Sequence, residues 1–245
     1  MLAEFPQSVT DKSGRNHAVS PGGIIYVDDK KLVPLILKDG IPLTLLQRDL
    51  GAEFYAAAAN AALADVAALK NVFDVAKRGG NIKREMERLA GRSDNILARQ
   101  AASDIIEFSP LIEALNGASR WLPGSAKFNY RVSSHADLIH ADARQIGVRA
   151  AFYYAGASEK LTYFLDERID FNLMQHVLDG KLNGGEIAEL MHKNWVNPKV
   201  GDIAFFKGRG ALKRGTLDDA ILNVTVHYVP EFTCEDVRFA GLCNM

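Results

Sequence analysis

Between residues 52 and 77 the chain holds neither glycine nor proline, and alanine dominates the run. Alanine loses no side-chain entropy in a helix and fits a pleated sheet poorly, so this segment commits the middle of the chain to helix. Phe54, Ala58, Ala62, Val66, Leu69 and Phe73 recur at three- and four-residue spacings, which puts one apolar face on that helix. Lys77-Arg78 followed by Gly79-Gly80 predicts its end, since cations suit the negative end of the dipole and glycine accepts a left-handed cap. A more polar helix over 81–91 follows, with a narrow stripe of Ile82, Met86 and Leu89. A third is expected over 93–108, and a short one over 110–115 begins at Ser109-Pro110, where proline is tolerated.

The flanks read differently. Residues 1–22 are polar, carry Pro6, Pro21, Gly14 and Gly22, show no periodicity and predict an extended or mobile arm. Residues 24–27, 32–37 and 41–46 are β-rich runs separated by Asp28-Asp29 and by Asp39-Gly40, a turn signal. They predict strands at a sheet edge or in a projecting hairpin, because Pro34 and Pro42 each remove a ladder donor. Beyond Gly124, strands are expected over 127–132, 148–154, 161–165, 203–206 and 221–229, with 148–154 and 161–165 forming a hairpin and 233–239 a partner for 221–229. Short helices are expected over 133–145, 172–178 and 185–193. The fold class is therefore α+β: an N-terminal β-hairpin region, an Ala-rich helical middle, and a C-terminal mixed α/β segment with an antiparallel sheet. The divisions are an arm over 1–22, hairpin strands over 23–50, helices over 51–118 and an α+β region over 119–245, all of which can form a single domain.

Composition narrows the function classes. Of 245 residues, 48% are hydrophobic and 24% charged, so the chain is globular, and at this length it needs neither disulfide nor metal to fold. Lys and Arg number 29 against 30 Asp and Glu, a net charge of −1, which creates no general field for nucleic acid or anionic membranes. A local basic loop of Lys207, Arg209, Lys213 and Arg214 is the exception and a candidate for phosphate or an acidic partner. Cys234 and Cys243 are too few for a disulfide framework or a zinc ribbon. The first residues lack the pattern of a secretory signal, and no apolar run is clean enough to span a bilayer. The expected location is the cytoplasm or an assembled particle.

The densest chemistry lies at 133–142, which holds His135, Asp137, His140 and Asp142. If this segment is helical, Asp137 and His140 share a face, and with His135 they form a candidate catalytic cluster for a hydrolase. On that helix His135 and His140 stand about 140° apart, so one ion cannot take both, and neither metal nor cofactor is expected. The same residues read equally as a solvated face with local ion pairs. His227, on the polar side of its expected strand, is a possible base for Cys234, as is His192. Residues 200–206 resemble a strand of papain-like cell-wall amidases, although no cysteine precedes residue 234 to serve as nucleophile.

Two functions follow as expectations. The order of arm, hairpin, long helix and α+β body resembles tailed-phage capsid proteins. It implies an assembly or interaction protein, a self-assembling phage-particle or secretion-machine subunit with itself or other proteins as partners. The alternative is a hydrolytic enzyme, such as a secreted bacterial effector, using the His/Asp cluster.

Overall fold

A computed structural model describes residues 4–77, 82–117, 129–130, 137–142, 147–156, 161–212, 216–230 and 239–243. It shows an α+β protein whose strands fall into a short hairpin and two larger sheets. The hairpin joins β1 (Ser8–Thr10) to β2 (Asn16–Ala18), so residues 4–22 are not a free arm. They are held to the body where Gly22 N–H donates to Asp166 Oδ1 at 3.0 Å and Ser20 Oγ bonds the same carboxylate.

The larger sheet has the order β3 (Ile24–Val27), β4 (Leu43–Leu46), β10 (Ile203–Lys207), β7 (Val148–Ala155), β12 (Phe239–Cys243), β5 (Asn129–Tyr130). The smaller has β6 (Asp137–Ala141), β11 (Val226–Val229), β8 (Tyr163–Leu165), β9 (Trp195–Val196). From β5 onward the chain shuttles between them, and all pairs in that part are antiparallel. That alternation lets side chains from both sheets share one buried layer.

Several local expectations change for identifiable reasons. Residues 32–37, expected as a strand, lie in a 3-10 helix, Lys30–Leu37. Asp29 caps it by accepting from Lys31 N–H, and Pro34 inside it has no N–H to give a ladder. β3 and β4 consequently pair in parallel rather than as a hairpin. The run 52–77 splits into α1 (Ala52–Ala59) and α2 (Leu63–Lys77). There Asn60 turns its side chain back onto the Ala56 carbonyl, and Asp65 accepts from Ala62 N–H. After α3 (Ile82–Arg92), the two helices expected over 93–115 are one, α4 (Ile96–Leu115). It runs through Pro110, beside which Ser109 Oγ donates to the Ile105 carbonyl.

In the C-terminal half, 137–141 is strand β6, where a helix was expected, and β7 and β8 belong to different sheets rather than a hairpin. The helices α5 (Phe171–Asp179) and α6 (Gly184–Met191) fall where expected. Residues 221–223 complete α7 (Leu217–Asn223), started by Thr216 accepting from Asp219 N–H, and only then does β11 begin. β12 pairs with β7 and β5, not with β11. The expected partner strand over 233–239 lies outside the described residues but for Phe239.

Side-chain alternation sorts the interior into three layers. Ile25, Val27, Phe152 and Phe205 leave the larger sheet on the side of α1–α4, where Phe108 of α4 meets Phe152 and Phe205 at ring distances of 6.1 and 6.0 Å. Burying a side chain like Phe108 stabilises the fold by about 2–3 kcal/mol. Arg48 and Asp104 reinforce this layer. Two guanidinium nitrogens meet the Asp104 carboxylate at 2.6 and 3.0 Å, Tyr154 donates to it at 2.9 Å, and Arg48 Nε reaches the Gly201 carbonyl. Burial pulls the Arg48 guanidinium down, but Asp104 outweighs it and holds it above its ordinary value. Ile139, Leu165 and Val226 leave the smaller sheet outward, onto Leu173, Val177 and Ile221 of α5 and α7. Their neighbours one residue along therefore face inward, where Leu45, Tyr153, Phe164, Ala204 and Phe206 pack between the sheets.

Candidate metal centre

The inward positions beside Ile139 and Val226 are His140 and His227. Register places these two histidines directly opposite each other on β6 and β11, with Phe164 of β8 opposite His227 on its other side. Their rings lie 4.3 Å apart at 53°. Asp142 follows His140 by two residues, the spacing that keeps a strand's side chains on one face. One donor atom from each of His140, Asp142 and His227 fits within a 4.8 Å span. Asp142 Oδ1 to His227 Nε2 is 3.9 Å.

The surroundings hold these groups ready to ligate. His227 is 5% exposed and packs between Phe206 of the larger sheet, at 5.1 Å, and Phe164, at 5.9 Å. Burial lowers its pKa well below the ordinary histidine value, and the charges of His140 and Arg149 add to the effect. The ring is therefore neutral at physiological pH, as a metal ligand must be. Its Nδ1 faces the Thr225 carbonyl at 3.5 Å, which leaves Nε2 on the Asp142 side. A histidine ligand is commonly oriented by such a contact on its other nitrogen. Asp142 is 5% exposed, and Arg149 Nη1 donates to its Oδ1 at 2.8 Å while the guanidinium lies 6.0 Å from the Phe206 ring. β7 thus supplies a second-layer cation that fixes the carboxylate. His140 is the most exposed of the three donors, so the cluster opens on its side.

Two imidazoles from paired strands and one carboxylate just beyond the end of β6 form a donor set suited to a divalent transition metal. Ligand bonds of about 2.1 Å imply donor separations near 3 Å, so side-chain adjustments of an ångström or two would close the set on an ion.

Among the residues expected to act, His140 takes its place in this cluster. Asp137 opens β6, its backbone opposite Val229, and His135 lies outside the described residues. Lys207 is 4% exposed, its Nζ donating to the Lys38 carbonyl and to Asn223 Oδ1, so it is not a surface cation. Arg209 donates to the Leu178 carbonyl at 2.7 Å, and Lys213 and Arg214 lie outside the described residues. Cys234 lies outside them too, and His192 caps the end of α6. The sequence groups Asp142 with its neighbours without giving it a role, offers His227 only as a base for Cys234, and gives no signal for Arg149. The alternation Ile139-His140-Ala141-Asp142 was the available signal.

No protein-family model matches the chain, and no curated protein does. Among solved structures it is similar to a Caulobacter crescentus protein provisionally described as belonging to the 2OG-Fe(II) oxygenase family. That match covers 88% of this chain and 80% of the other, at 14% identity and a TM-score of 0.32. A likeness this loose carries no argument, and the chemistry rests on the donors themselves.

Proposed function

We propose that the protein is a metal-dependent oxygenase whose mononuclear iron(II) is held by His140, Asp142 and His227. The observation that carries the reading is the gathering of these donors between two sheets. Two histidines and one carboxylate would hold an ion by three donors and leave room for other ligands, a donor set that suits non-haem iron(II) oxygenases. Bound iron supplies the activation of dioxygen, and the chain supplies binding, orientation and exclusion of water. His227 offers a neutral nitrogen because burial keeps the proton off. Arg149 holds Asp142 by one oxygen, and Phe164 and Phe206 wall the site with apolar surface. A divalent ion with Asp142 and Arg149 sums to a local charge of about +2, which favours an anionic, chelating co-substrate.

The test is oxygen uptake by the iron(II)-loaded protein with a panel of small mono- and dicarboxylates, beside the His140→Ala, Asp142→Ala and His227→Ala variants. Uptake in the wild type and its loss in all three supports the reading. Zinc affinity alone does not discriminate, because zinc binds most such sites more tightly than iron(II). Metal-dependent hydrolysis without oxygen uptake would overturn it in favour of a hydrolase at the same donors. Self-assembly through the N-terminal residues and edge strands stands as a separate proposal, tested by light scattering coupled to size-exclusion chromatography.

A further inference from the structure

Thr225 stands between the end of α7 and the start of β11, two residues before His227, and is 3% exposed. It is fastened from two directions. Its hydroxyl donates to the Pro42 carbonyl at 2.7 Å, and its N–H donates to the Lys207 carbonyl at 3.0 Å. Lys207 N–H donates to the same Pro42 carbonyl at 2.9 Å. Pro42 leads into β4 and Lys207 ends β10, neighbours in the larger sheet, so these bonds tie the lead-in of β11 to that sheet. Phe206, the residue before Lys207, is the ring that packs on His227. One corner of the larger sheet therefore sets both the wall beside the imidazole and the peptide next to it.

That peptide presents an acceptor. The Thr225 carbonyl lies 3.5 Å from His227 Nδ1, whereas Nε2 lies 3.9 Å from Asp142 Oδ1. A neutral imidazole carries one N–H, and the nitrogen that keeps it cannot ligate a metal. A proton on Nδ1 uses the carbonyl and leaves the Nε2 lone pair for an ion. A proton on Nε2 would point at Asp142 and close the site. A shift of about an ångström would turn that approach into a hydrogen bond to a carboxylate, so the closing tautomer is a real competitor.

We propose that Thr225 is a positioning residue for the metal centre: by holding its own carbonyl against Nδ1 it selects the His227 tautomer that can ligate. The proposal rests on the reading of His140, Asp142 and His227 as metal donors. Without the hydroxyl, the 225 peptide relaxes, and the Nε2–H form, drawn by the Asp142 carboxylate, takes a share. Metal affinity then falls in proportion to the fraction of His227 left in the ligating tautomer.

The test uses the full chain with isotopically labelled histidine. Nitrogen NMR of the metal-free protein near neutral pH reads the His227 tautomer, assigned with His227→Gln, and calorimetric titration with manganese(II) reads affinity. Wild-type His227 is expected in the Nδ1–H form. Thr225→Val leaves the Pro42 carbonyl bonded to Lys207. It is expected to mix in the other tautomer and to bind manganese(II) about 3–10-fold more weakly, the worth of one hydrogen bond. Thr225→Ser restores both. Wild-type His227 protonated at Nε2 would overturn the proposal, whatever the variants do. So would a wild-type tautomer in Thr225→Val, or a Thr225→Ser as impaired as Thr225→Val, which would mark an effect of side-chain shape alone. A wild type that binds no manganese(II) would instead strike the metal reading, while the tautomer, read without metal, still decides the role of Thr225.

Discussion

Arg48→Met tests how the helical layer is fastened to the sheet that carries Arg149. Asp104 is fully buried and Arg48 is 12% exposed at its side chain, so the substitution strands a carboxylate with no water to replace the lost partner. Breaking such a pair from one side costs about 3–5 kcal/mol. Asp104 keeps two neutral donors, Tyr154 Oη and Gln100 Nε2 at 2.9 Å each, which places the expected loss near the lower end, about 3 kcal/mol. For a chain of this length that corresponds to a fall in Tm of about 6–12 °C. Urea denaturation read by circular dichroism gives the free energy directly. The companion variant Arg48→Met with Asp104→Leu removes both charges, and its stability is expected within about 2 kcal/mol of the wild type, because desolvating two ions is itself costly. A loss below about 1 kcal/mol in the single variant, or a double variant less stable than the single, would refute the assignment of this pair as buried and mutually dependent.

Other consequences can be measured at the site. Arg149→Met is expected to weaken metal binding about 10–100-fold by freeing Asp142 to rotate, read by calorimetric titration with manganese(II). His227 has a lowered pKa in the folded protein, so the unfolded chain takes up the proton first. Its contribution to stability is complete above about pH 6.5 and is lost as pH falls from there towards the folded value, at up to about 1.4 kcal/mol per pH unit. A pH series of urea melts that runs flat below 6.5, or matches that of His227→Gln, would contradict the burial argument. Gly22→Ala would place a methyl carbon 2.5 Å from the Asp166 backbone, forcing the segments apart at a cost of about 1–3 kcal/mol. Limited proteolysis should then cut within the first 22 residues sooner than in the wild type.

The helical middle was legible because its signals are local: alanine content, an apolar face and polar breaks act within one segment. Apart from β12, the larger sheet was legible as strands but not as partners, since pairing between β5 and β12 depends on residues more than a hundred positions apart. The site was missed through one decision about periodicity. Read as a helix, 133–145 throws His140 and Asp142 about 200° apart, onto opposite faces. Read as a strand, it puts them on the same face. Ser133-Ser134 is a helix-capping pair and favours a helix from the local sequence, whereas pairing with β11 makes 137–141 a strand. His227 was placed correctly on a strand, but nothing in the sequence around it names β6 as the neighbour.

The pairing of β6 with β11 slips between His227 and Val229. Three steps along β6, from His140 to Asp137, are matched by only two along β11. An irregularity of this kind absorbs an extra residue without moving the ladder beyond it. The stretch ahead of Ile139 is thereby uncoupled from the donors behind it. A change of register ahead of Ile139 can be taken up at the slip while the opposed histidines keep their registration.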